Sequence, residues 1–167
     1  MKKGYAFIIS FTVIVAFFSF SSLNPAPASV SRLMVGQQIP VTDFLEKNSE
    51  ELVWINFWAA YDAASRNENV QFSVVIKRVG ENSPEKKQSF KSISISMDRF
   101  ESIFEEVVKQ DNLYFSQVLR EPNGFQSEFA KKLKLNNRFG NFLLDAQGKL
   151  IAKDLTPEEL ERVLDKL

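Results

Sequence analysis

The 167-residue chain contains no cysteine and no histidine. The first absence excludes disulfides, thiolate nucleophiles and thiolate metal sites. The second removes the usual general base near neutral pH and the commonest transition-metal ligand. A Ser-His-Asp triad is ruled out with it. Only carboxylates, Lys, Arg, Tyr, Ser and Thr remain for catalysis. A basic excess is lacking too: 21 Lys and Arg balance 21 Asp and Glu. Nucleic acid is therefore not an expected partner. No cofactor and no metal is expected. What is present suits one globular domain, at 44% hydrophobic and 25% charged residues. Its 16 Phe predict a core rich in aromatics.

The N-terminus reads as an address. Lys2 and Lys3 precede an almost wholly apolar run, Tyr5 to Phe20, and Ala26-Pro27-Ala28 supplies small residues at A-x-A spacing. Residues 1–28 are read as a signal peptide, cleaved after Ala28, or as an N-terminal anchor. The apolar run is shorter than the roughly 20 residues a spanning helix needs. No cysteine follows it to take a lipid. Removing this segment takes away two lysines and no acid, leaving a slightly acidic mature chain. An extracytoplasmic location, periplasm or cell envelope, is expected. Membrane contact is expected only through an uncleaved N-terminal segment. Residues 29–40 form a linker and opening segment, and 41–167 the folded domain.

Leu52 to Trp58 is a short apolar run with only Asn56 polar, which predicts a strand buried on both faces. A helix follows from Asp62 to Val79, with Val70, Val74, Val75 and Val79 on one stripe and Gly80 ending it. Glu81 to Lys87 is a polar loop. In "SFKSISISM", Phe90, Ile93, Ile95 and Met97 alternate with Ser92, Ser94 and Ser96, a strand whose serines suit packing under a helix. Asp98 and Glu101 have capping-box spacing for a helix with Phe100, Ile103, Phe104, Val107 and Val108 on its apolar face. Leu113 to Leu119 contains a short strand, Glu121 to Gln126 a loop, and Ser127 caps a short helix ending near Leu133. Asn141–Leu144 and Lys149–Ala152 form a hairpin turned at Gly148. Thr156, Pro157 and Glu159 start the last helix, whose stripe is Leu160, Val163, Leu164 and Leu167. This order predicts an α/β sandwich with a mixed sheet.

Between the first strand and helix stands "WAAYDAASR", residues Trp58 to Arg66. It has the frame W-x-x-x-C-x-x-C-R with Asp62 and Ser65 at the cysteine positions. Together with "VGQQIP", "SISISMD", "NFLLDAQGKLIAKDL" and "TPEELERVLDKL" in this order, it resembles the TlpA/ResA-like thiol-disulfide oxidoreductases. That resemblance runs from about Val35 to the C-terminus. It implies a thioredoxin-like three-layer sandwich with a mixed central sheet. It also places Phe139 where the family has a cis-proline, so a trans bond is expected at Arg138-Phe139. Both cysteines and the proline are missing, so the family's disulfide chemistry is not expected of this chain.

The loop residues have other readings. Asp62 suits an N-cap, because Asp bonds the free amides of a first helical turn. Ser65 has no histidine to activate it and reads as a small residue on a loop-facing surface. Arg66 reads as a solvated charge or the partner of a carboxylate. Trp58 suits core packing, and Tyr61 suits either core or interface. Asp62, Asp98, Glu128 and Asp145 lack EF-hand spacing. The expected function is that of a redox-inactive binding or accessory module holding an envelope protein or peptide. Its groove would be lined by Trp58, Tyr61, Asp62, Ser65, Arg66, Arg138 and Phe139. The alternatives are a non-redox enzyme reusing Asp62, Ser65 and Arg66 on a small substrate, and a purely structural envelope domain.

Overall fold

β1, Leu52–Trp58, is buried along its whole length, as its apolar composition predicts. The computed structural model describes residues 33–39, 51–82 and 90–166. The signal or anchor segment, most of the polar loop after the first helix, and Leu167 lie outside the described residues. After β1 come α1 (Ala63–Asn82), β2 (Phe90–Ser96), α2 (Glu101–Asp111) and β3 (Gln117–Arg120). A 3-10 turn at Gly124–Gln126 leads to α3 (Glu128–Lys132), β4 (Asn141–Leu144), β5 (Leu150–Lys153) and α4 (Pro157–Leu164). The sheet order is β3-β2-β1-β4-β5. β1 pairs parallel with β2, and β2 with β3, while β4 runs antiparallel to β1 and β5. This is the expected mixed sheet.

Period-two alternation sends neighbouring side chains to opposite faces. Val53, Ile55 and Phe57 of β1 pack with Ile93, Ile95, Phe142 and Leu144, under Ala130, Leu133 and Leu135 and the leading Leu33 and Ile39. Leu52 and Trp54 pack on the other face with Phe72, Val75, Ile76 and Val79 of α1 and Leu160 and Leu164 of α4. The sheet is thus covered on both faces, giving three layers. Residues 36–39 lie along β5, where Gly36 N donates to Leu150 O (2.8 Å) and Leu150 N to Gln37 O (2.9 Å).

Three local expectations change. The buried stripe of α1 is rotated from the valine stripe: Val74 is exposed, and Asn69, Phe72 and Ser73 face inward. Hydrogen bonding turns the helix. Asn69 Oδ1 accepts from Asn56 Nδ2 (2.8 Å) and Ser94 Oγ (2.9 Å), and Ser73 Oγ from Tyr114 N (2.6 Å). Buried groups of this kind are costly if left unpaired, which outweighs burying one more valine. Gly80 does not end α1, which runs on to Asn82. Asp98 does not cap α2: the N-cap is Phe100, without a side-chain cap, and Asp98 bonds elsewhere. Phe100 and Ile103 are exposed, and only Val107 of α2 is buried, because no described element covers that side of the helix.

Other signals hold. Ser92, Ser94 and Ser96 are buried. Ser127 Oγ accepts from Ala130 N (3.0 Å) and starts α3. Gly148 turns the hairpin at φ +80. Thr156 and Glu159 form the reciprocal box on α4. Thr156→Ala should lower the unfolding free energy by about 1 kcal/mol in a urea titration, with no change in slope.

Candidate functional site

The loop after β1 is built by the start of α1. Asp62 Oδ1 accepts from Ser65 N (2.8 Å), so Asp62 is the expected N-cap. Ser65 is buried, not surface-facing. Its Oγ donates to Asp62 O (3.2 Å) and accepts from Ala59 N (3.3 Å), stitching the strand end to the helix start. Arg66 takes the carboxylate reading: Nε donates to Asp111 Oδ2 (2.7 Å) and Nη2 to Asp111 Oδ1 (2.6 Å). Such a two-pronged pair is geometrically specific, and here it ties α1 to the end of α2. Gln110 Oε1 also accepts from Nη2 (3.1 Å). The hydrogen bond to Asp111 is the main cause that pushes the Arg66 guanidinium further above its ordinary value, with the Asp111 and Asp98 charges adding to it.

Asp98, at the end of β2, takes a part the sequence reading missed. Its Oδ2 accepts from Ala60 N (2.8 Å) and Ser96 Oγ (2.7 Å), fixing the loop from below. Asp98 is only 3% exposed. The loop's tip is Tyr61, 69% exposed, with its ring 6.2 Å from that of Phe139. Phe139 in turn lies 5.1 Å from Phe125. Gly124 makes the approach of Phe125 feasible: it has φ +51, and a Cβ there would meet Met97 O at 3.2 Å. Partial burial, then Asp98 and Asp62, raise the Tyr61 phenol above its ordinary value, so it stays a neutral donor.

Beside this loop opens a groove of about 960 Å³. Tyr61, Arg66, Met97 and Asp98 form one wall, Phe100, Ile103 and Glu106 of α2 another, and Asn123 to Gln126 the third. Phe100 and Ile103, 60% and 44% exposed, present open apolar surface to it. The structure does not gather all the expected residues here. Trp58 and Ser65 are buried and do not line it, and Asp62 is committed to its cap. Arg138 lines a separate cavity of about 200 Å³ with Leu33, Lys134, Lys153 and Asp154, and Phe139 forms the partition between the two. Phe100, Ile103 and Phe125 are the site residues that the sequence reading missed. Two of them looked like buried helix positions, and "EPNGF" carried only a turn signal. Among the described residues, no three Asp or Glu side chains cluster to hold a metal ion. Asp145 caps its hairpin turn and Glu128 pairs with Lys131.

A scan of protein-family models and a search of curated proteins each find no match. Solved structures do match. A thioredoxin-like protein from Parabacteroides distasonis is 40% identical, with a TM-score of 0.61 over 70% of this chain and 81% of its own. A thiol-disulfide oxidoreductase from Bacteroides fragilis is 27% identical, with a TM-score of 0.59 over 74% and 85%. A thiol:disulfide interchange protein from Bacteroides sp. is 20% identical, with a TM-score of 0.64 over 81% and 90%, and shares the fold. The chain belongs to the thioredoxin-like family. Within it, the chain is related to the TlpA/ResA-like thiol-disulfide oxidoreductases and has lost both cysteines of the redox loop. The cis-proline position is Phe139, and no cis peptide bond occurs among the described residues.

Two stability outcomes follow from this geometry. Asp62→Ala should cost about 1 kcal/mol in chemical denaturation, and Asp62→Ser should recover most of it, because a hydroxyl can take the same amide. Glu68, on α1, titrates above its ordinary value because partial burial and then the Asp154 carboxylate penalise its anion. Its contribution to stability is therefore complete below the unfolded-chain value of about 4.3 and lost as pH rises through the raised folded value. Glu68→Gln should be more stable than the parent at pH 7, and thermal melts should converge below about pH 4.

Proposed function

We propose that this protein is a peptide- or protein-binding module of the cell envelope that works without thiol-disulfide exchange. The observation that carries this reading is the groove beside the former redox loop. Its apolar side chains, Tyr61, Phe100 and Ile103, are exposed although the fold has ample core elsewhere. Exposed aromatics flanking a concave surface are the usual anchors of an interface. The loop beneath is rigidly built: Asp62, Ser65, Arg66 and Asp98 are each held by defined hydrogen bonds. A preorganised surface loses less entropy on binding. The same bonds speak against the enzyme alternative, since Asp62, Ser65 and Arg66 are engaged in structure. The extracytoplasmic location rests on Lys2, Lys3, the apolar run and Ala26-Pro27-Ala28. Among the described residues, no helix is long and apolar enough to cross a membrane.

The test is photocrosslinking in the intact envelope, with the probe replacing Tyr61 and a control probe replacing Glu158 on α4. A discrete adduct from position 61 alone is expected. Equal silence at both positions would overturn the reading in favour of a structural domain. In the purified protein, Tyr61→Ala and Phe100→Ala should each weaken partner binding by about tenfold or more, as anchor truncations do, without lowering the melting temperature appreciably.

A further inference from the structure

Two cations, Arg66 and Arg99, and two anions, Asp98 and Glu106, line the groove, but they are not ion-paired with one another. Asp98 lines it as a buried carboxylate, yet its hydrogen bonds all fall on Oδ2, from Ala60 N and Ser96 Oγ. Oδ1 has no hydrogen-bond partner and the side chain no ion pair among the described residues. Oδ1 is not one of the fully enclosed unpaired atoms, so it faces the groove, where a cation or donor can complete it. Arg66 lies within electrostatic range of Asp98, but its Nε and Nη2 are taken by Asp111 and Gln110. Arg99 is turned over the Phe100 ring, 5.9 Å from its centroid. Glu106, exposed on the α2 wall, makes no ion pair among the described residues. Tyr61 stands at the same mouth with its ring exposed, in the same lining as Asp98. An aromatic face beside a carboxylate is a place for a cation.

Resting on the groove-binding reading above, we propose that the preferred occupant is an extended peptide segment with apolar side chains and one Lys or Arg. Its apolar side chains lie against Phe100 and Ile103. Its cation sits between the Tyr61 ring and Asp98 Oδ1. The apolar wall supplies contact area, and the cation supplies selectivity among apolar segments.

Fluorescence anisotropy on the full-length protein tests this with three labelled peptides. They share the same flanking Leu and Phe residues and differ only in a central Lys, Gln or Glu. The Lys peptide should bind about tenfold tighter than the Gln peptide, the size of one charge-assisted hydrogen bond, and the Glu peptide should bind weakest. Asp98→Asn removes the anion while keeping one oxygen for Ala60 N, and should abolish the preference for the Lys peptide over the Gln peptide. Glu106→Gln, on an exposed helix surface, should reduce the preference and keep the fold. Equal binding of all three peptides, or tighter binding of the Glu peptide, overturns the basic-segment inference and leaves the groove reading standing. Binding of none of them, with Phe100→Ala also without effect in the envelope crosslinking, overturns both.

Discussion

Asp62 stands where β1 hands over to α1, and its carboxylate bonds the Ser65 amide in the first helical turn. A helix start leaves amides without an intrahelical partner, and a capping side chain meets one of them. Meeting it with Asp62 fixes the turn over Ala60 and Tyr61. That turn points Ala60 N at Asp98, holds Ser65 between Ala59 and Asp62, and sets Arg66 one turn on, opposite Asp111. The cap is thus the first of a chain of contacts that runs from β1 across α1 to α2.

In its thioredoxin-like relatives, the W-x-x-x-C-x-x-C-R frame supplies a reactive pair of thiols. Here the same frame holds a carboxylate and a hydroxyl, both spent on backbone groups. The scaffold is retained and its reacting atoms are gone. What the site still offers is an aromatic tip, an exposed apolar helix face and a carboxylate with one free oxygen, the features on which the proposed recognition role rests.

The sequence made much of this fold legible where local chemistry acts alone. The apolar continuity of Leu52–Trp58, the serine alternation of β2 and the Thr156-Pro157-Glu159 signature each depend on near neighbours, and each reads correctly. Asp98 was misread because its spacing to Glu101 mimics a capping box, while its actual partner, Ala60 N, is distant in sequence. The valine stripe of α1 failed for a related reason. Asn69 and Ser73 are drawn inward by Asn56, Ser94 and Tyr114, and no pattern within the helix reveals those partners. Phe100 and Ile103 looked like core because helical spacing reports amphipathicity without reporting whether another element covers the apolar side. The site was found through one loop, and its opposite wall needed the tertiary structure.

The two margins of the sheet are finished differently. Residues 36–39 lie against β5 and satisfy part of its outer edge. At the other margin β3 is only four residues long, and its Arg120 reaches the Arg99 carbonyl and Glu101. Short, charged margins are poor templates for adding a foreign strand. With both margins finished in this way, the sheet offers a second copy of the chain little free backbone to pair with, and contact between copies must use side chains instead.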